Sequence, residues 1–168
     1  MSLRSSARVV LVLASAFAVT VGLALPASAA PGSASRNGLT LSASNASGLV
    51  ASGETVTVTG TGYSPSAGYY IALCQVPDDY EYGVKPSPCS GGDGQGGGVT
   101  ASAWVTNAGV PGNPSSPIAA DGSFTTQIRV TKVTAGLDCG VVTCAIVSRR
   151  DHLASSNRDS DVFIPVSW

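Results

Sequence analysis

Charge is scarce in this chain. Its 168 residues include nine lysines and arginines and ten aspartates and glutamates, for a formal net charge of −1. So thin and balanced a set offers no basic patch of the kind that electrostatic nucleic-acid binding requires. His152 is the sole histidine. A zinc centre would want partner histidines or C-x-x-C spacing, and neither is present. The C-x4-C spacing of Cys139 and Cys144 also departs from the C-x-x-C of thiol-exchange catalysts. No G-x-S-x-G element marks a nucleophile, and no Gly-Lys-Ser/Thr follows the glycine-rich stretch. The sequence therefore points away from an enzyme, a metal site or a bound cofactor. Helical periodicity is missing too, because nothing after the first segment repeats apolar residues at i, i+3, i+4 and i+7.

What is present begins with an export pattern. Arg4 and Arg8 precede an apolar run from Val9 to Leu25, and Pro26-Ala27-Ser28-Ala29 supplies small residues for cleavage. Residues 1–29 thus read as a secretory signal peptide. The mature chain, Ala30 to Trp168, is about 140 residues, the size of one domain. It is expected to be extracellular, monomeric and free of the membrane once the signal is removed. In an oxidising compartment an even set of cysteines implies disulfides. Cys74, Cys89, Cys139 and Cys144 allow three pairings, and spacing alone does not choose among them.

The mature chain runs with a period of two. After a leader at 30–38, expected to be flexible, come Leu39–Ser44 and then "GETVTVTGTGYSP", with Val56 and Val58 on one face. "YYIALC", "GSFTTQIRVTK", "CAIVSRR" and "DVFIPVSW" supply further strands. Pro165 suits the last of these to an edge, since proline donates nothing to a ladder. Six or seven short strands in one small exported domain predict an all-β, seven-stranded antiparallel sandwich over 39–168. A glycine-rich insertion at 90–114 reads as a long surface loop, with 99–105 able to form an extra strand carrying Trp104. The charged run "RRDHLASSNRDSD" suggests Arg149, Arg150 and Arg158 pairing with Asp151, Asp159 and Asp161 across a hairpin, with His152 solvated beside them.

Several of these segments together carry a family resemblance. "GETVTVTGTGYSPSAGYYIALC", the later Cys89, "SSPIAADGSFTTQIRV", "DCGVVTCAIVS" and the terminal "DVFIPVSW" resemble the neocarzinostatin family of exported immunoglobulin-like apoproteins. That resemblance implies two local disulfides, Cys74–Cys89 and Cys139–Cys144. It also implies a cleft at one end of the sandwich that holds an apolar aromatic chromophore without a covalent bond. Released chromophore cleaves DNA, so an antibiotic and DNA-interacting role is implied through the ligand. Carried over by position, the cleft side comprises Tyr70, Ala72, Ala145, Val147 and Arg149, with the Cys74–Cys89 bridge in its floor. The chain departs from the family in its aromatics. Gln75-Val76 stands where the family has a tryptophan, and the hairpin before the C-x4-C pair shrinks to "TKVTAGLD". Tyr80, Tyr82 and Trp104 are the candidates to replace that lost aromatic surface. Two functions follow: a carrier of a small apolar or aromatic molecule, or an extracellular immunoglobulin-like module without a small ligand.

Overall fold

A computed structural model describes residues 29–92 and 100–168. The expected signal peptide, apart from its last residue, lies outside the described residues, as does the 93–99 part of the glycine-rich insertion. Ten strands run in chain order: β1 Ala30–Arg36, β2 Leu39–Ser47, β3 Glu54–Thr61, β4 Gly68–Gln75, β5 Ser102–Thr106, β6 Phe124–Val130, β7 Val133–Thr134, β8 Leu137–Asp138, β9 Cys144–Arg150 and β10 Val162–Pro165. Eight of them form two four-stranded sheets, ordered β1-β2-β3-β6 and β10-β9-β4-β5, while β7 and β8 make a short separate ribbon. Every strand pair within these sheets is antiparallel.

Alternation builds the first sheet. In β6 Phe124, Thr126, Ile128 and Val130 are buried while Thr125, Gln127 and Arg129 face solvent. Its neighbour β3 likewise turns Val56 and Val58 into the core. Opposite them, Tyr69, Ile71 and Leu73 of β4, Ile146 of β9 and Val162 and Ile164 of β10 complete one hydrophobic cluster. Tyr63 closes it at one end. Its ring meets Tyr69 and Phe124 edge-on, each at 4.9 Å, and its hydroxyl shares a 2.7 Å hydrogen bond with Ser148. Burial raises the pKa of that hydroxyl, and the Ser148 bond offsets part of the rise. The Asp121-Gly122 turn sits against the Tyr63 backbone, whose amide donates to the Gly122 carbonyl at 3.0 Å. Gly122 has a φ of +80° and a Cβ there would fall 2.7 Å from the Tyr63 carbonyl oxygen, so glycine is required.

Two expectations are corrected. The leader is a strand: β1 pairs with β2 from Ala30↔Ser47 to Arg36↔Leu39, around Asn37 and Gly38 at φ +50° and +80°. Positive φ at both central residues is the geometry of a two-residue type I′ hairpin, for which Asn-Gly is the favoured pair. The insertion is not simply a surface loop either. Its β5 pairs with β4 and completes the second sheet. Pro165 does end an edge strand, β10.

Candidate ligand-binding face

β4 and β9 differ from the strands of the first sheet in being buried on both faces. One face belongs to the core. The other is built by cross-strand rows, because residues sharing parity on antiparallel neighbours share a face. Tyr70 lies opposite Trp104 on one side and Arg149 on the other. Ala72 lies opposite Ser102 and Val147, and Val147 in turn opposite Phe163. Cys74 lies opposite Ala145. All five residues expected at the cleft therefore share the outer face of the second sheet. None is open to solvent, with exposures from 0 % for Ala145 and Val147 to 7 % for Arg149.

Two covers account for that burial. The first is the loop closed by the Cys74–Cys89 disulfide. Backbone bonds from Gln75 to Pro88 and from Ser87 to Gln75 fasten its base, at 2.9 and 3.2 Å. Tyr80, Tyr82 and Cys89 then pack on a small cluster of Ala72, Cys74, Val76, Ala145, Val147 and Phe163. Tyr82 stacks on Phe163 with ring centroids 4.6 Å apart and planes 20° from parallel. The Arg36 guanidinium, reaching from the end of β1, sits 4.1 Å from the Tyr82 ring centroid. The second disulfide, Cys139–Cys144, fixes the approach to β9. Thr143 within its loop ties this cover down, its carbonyl accepting from the Val76 amide at 3.0 Å and its hydroxyl donating to Asp78 Oδ1 at 2.6 Å.

The second cover stands at the other end of the face. Trp104 is 5 % exposed and donates its indole N–H to Asp151 Oδ2 at 3.1 Å. Asp151 is fully buried, and its other oxygen accepts from the Leu153 amide at 3.1 Å, starting a short 3-10 turn at His152–Ala154. The Asp151 amide donates to the Gly68 carbonyl. The carboxylate so occupies the space beside Gly68 that any Cβ there would collide with it. His152 is exposed, yet its Nδ1 shares a 2.7 Å hydrogen bond with the Tyr70 hydroxyl, so it is not a freely solvated loop residue. The Arg149 guanidinium lies 5.2 Å from the Tyr70 ring centroid, a cation–π distance.

The charged run pairs only in part as expected. Arg158 meets Asp161 at 3.0 Å, but Asp151 takes the tryptophan N–H instead, and Arg150 lies over Tyr69. Asp161 is fully buried, and its Oδ1 finds no hydrogen-bond partner among the described residues. Burial pushes its pKa up to about 6 against the opposing pull of Arg158, Arg36 and Arg149. Sequence reasoning missed Phe163 and Arg36 at this face. Parity could have found Phe163, since Val162 and Ile164 flank it in an alternating run. Nothing local marks Arg36, which reaches the face only because β1 is a strand.

The family model described as the neocarzinostatin family matches residues 41–164. A Corynebacterium glutamicum protein named thiamine biosynthesis protein X is 35% identical over 101 residues. That alignment takes in 60% of this chain and 49% of the relative, so the chain spans about half the relative's length. Among solved structures, macromomycin aligns with a TM-score of 0.47 and 20% identity, covering 77% of this chain and 99% of its own. Because the family match runs through both sheets, from β2 to β10, this chain belongs to the neocarzinostatin family.

Proposed function

We propose that this protein is an exported carrier that holds a small apolar or aromatic molecule, without a covalent bond, on the outer face of the β10-β9-β4-β5 sheet. The observation that carries the reading is the double burial of β4 and β9. An antiparallel sheet at the boundary of a domain usually leaves one face to water and alternates accordingly. Here the second face is apolar, bordered by Tyr70, Trp104, Tyr82 and Phe163, and floored by the small side chains of Ala72 and Ala145. Flat rings supply area and defined geometry for an aromatic ligand, while small floor residues leave room for it. Tyr70, Ala72, Ala145, Val147 and Arg149 are the proposed contact residues. Residues 1–29 direct export and are removed, and the mature chain acts as a monomer without catalysis. Any effect on DNA would belong to the ligand rather than to this nearly neutral chain.

One observation favours a second reading, an extracellular module with no small ligand. The chain's own Trp104 and Tyr82 already lie against the face that a ligand would use. Native mass spectrometry of protein purified from its own producer separates the two. A carrier should show a bound mass that denaturation releases and an absorbance beyond that of its own tryptophan and tyrosine. A thermal-shift panel of planar aromatic compounds, with thiamine included because of the relative's name, extends the test to recombinant protein. Bare apoprotein from the producer, with no compound raising its melting temperature, would refute the carrier.

A further inference from the structure

We propose that the Phe163 ring and the Arg36 guanidinium form an aromatic subsite of this face, which the free protein fills with its own Tyr82. The proposal rests on the carrier reading and names how the site is kept closed. Tyr82 is held as a flat aromatic guest would be held, by near-parallel stacking at 4.6 Å and a cation 4.1 Å from its centroid. The two partners of the ring are fixed. Phe163 is 3 % exposed and belongs to β10, where it pairs with Val147. Arg36 ends β1 opposite Leu39, and its guanidinium donates to the carbonyl oxygens of Arg158 and Asp161.

Tyr82 itself is the replaceable member. It is half-buried, with Glu81 and Gly83 exposed on either side, and no hydrogen bond ties it among the described residues. The hydrogen bonds of its loop gather at the base and at the Pro77–Tyr80 turn, leaving the tip to stacking alone. Tyr80, two residues before, has φ +59°, a left-handed conformation that non-glycine side chains rarely adopt. Rearrangement of the tip would relieve that strain as Tyr82 swings into water. The subsite selects by chemistry. A planar, electron-rich, neutral or anionic ring gains both the Phe163 stack and the Arg36 charge, whereas a cationic ring is repelled by Arg36.

Because the closed state competes with the ligand, apparent affinity falls by the fraction of molecules that are open. A single stack plus one partly exposed cation–π contact should hold Tyr82 in place by about a factor of ten. Calorimetric titration of the mature protein with 2-naphthol tests this. Tyr82→Ala should bind about tenfold more tightly than the wild type, and Tyr82→Phe, which keeps the plug, should bind as the wild type does. Adding Phe163→Leu to Tyr82→Ala should erase the gain. Nitration of Tyr82 by tetranitromethane, mapped by mass spectrometry, should rise as 2-naphthol saturates the wild type. Equal or weaker binding by Tyr82→Ala overturns the plug while leaving the carrier reading intact, as does protection of Tyr82 from nitration. Absence of binding by every variant overturns the subsite and leaves the carrier to its separate test on producer-derived protein.

Discussion

Replacing Trp104 by alanine probes whether the insertion is structural. The indole is 5 % exposed, and its N–H is the hydrogen-bond donor for one oxygen of a fully buried carboxylate, Asp151. Truncating a buried aromatic side chain to alanine costs about 3–5 kcal/mol when the site cannot collapse. β5 is an edge strand and can shift inward, so the apolar part belongs at the lower end of that range. Leaving Asp151 Oδ2 without a donor adds about 1–3 kcal/mol, because burial denies it water as a replacement. A total of about 4 kcal/mol is expected for Trp104→Ala. Trp104→Phe keeps most of the area but loses the donor, and should cost about 1–3 kcal/mol. Urea denaturation followed by far-ultraviolet circular dichroism measures both, with unchanged slopes showing that stability rather than compactness has moved. A double-mutant cycle with Asp151→Ala, which removes the acceptor, isolates the bond itself. A Trp104→Ala variant within about 0.5 kcal/mol of the wild type would mean that the insertion floats and the second cover is spurious.

Other perturbations reach the same architecture from different sides. Gly68→Ala should displace the Asp151 carboxylate and cost about 1–3 kcal/mol in the same assay, with the loss largely absent on a Trp104→Phe background. Asp161 has a folded pKa of about 6 against an ordinary 3.8, so its contribution is fully present below pH 4 and is lost as pH rises through 6. Stability measured from pH 4 to pH 7 should therefore fall by about 2–3 kcal/mol from this group. Asp161→Asn should flatten that part of the profile; an unchanged slope would refute the assignment. Replacing Cys74 and Cys89 together by serine opens a loop with a sequence separation of 15 and should cost about 3 kcal/mol, whereas the Cys139–Cys144 pair, at a separation of 5, should cost about 2. Equal melting temperatures for the two double variants would argue against loop entropy as the main contribution.

The fold was legible wherever a strand has one wet face. β3 and β6 announce themselves because Val56, Val58, Ile128 and Val130 alternate with polar residues, and the sheet they build needs no other information. β1 was not legible from its own composition. "APGSASR" has no bulky β-branched or aromatic residue, and its stability as a strand comes from β2 and from contact with β10 rather than from propensity. The signal lay in the turn instead: Asn37-Gly38 specifies a two-residue hairpin, and a hairpin needs a strand on both sides. β5 was half legible. Alternation suggested a strand over 99–105, while the observed span, Ser102–Thr106, is set by its register against β4, which no local pattern contains.

The candidate site divides along the same line. Tyr70, Ala72, Ala145, Val147 and Arg149 could be placed on one face because parity within a strand is local and the family resemblance fixed which strands are neighbours. The covers could not be placed, since each joins segments distant in sequence: Arg36 with Tyr82 and Phe163, Trp104 with Asp151. Those covers also differ in kind. Trp104 is fixed by a buried carboxylate that itself starts a 3-10 turn, so moving the indole strands a charge in the interior. Tyr82 is held by ring contacts alone and can trade them for water or for an incoming ring at small cost. A ligand entering this face would therefore displace the Tyr82 cover and leave the Trp104 cover in place. The two substitutions should separate accordingly: loss of Trp104 lowers stability by about 4 kcal/mol, whereas loss of Tyr82 tightens binding and costs only the roughly 1.4 kcal/mol that a tenfold preference for the closed state represents.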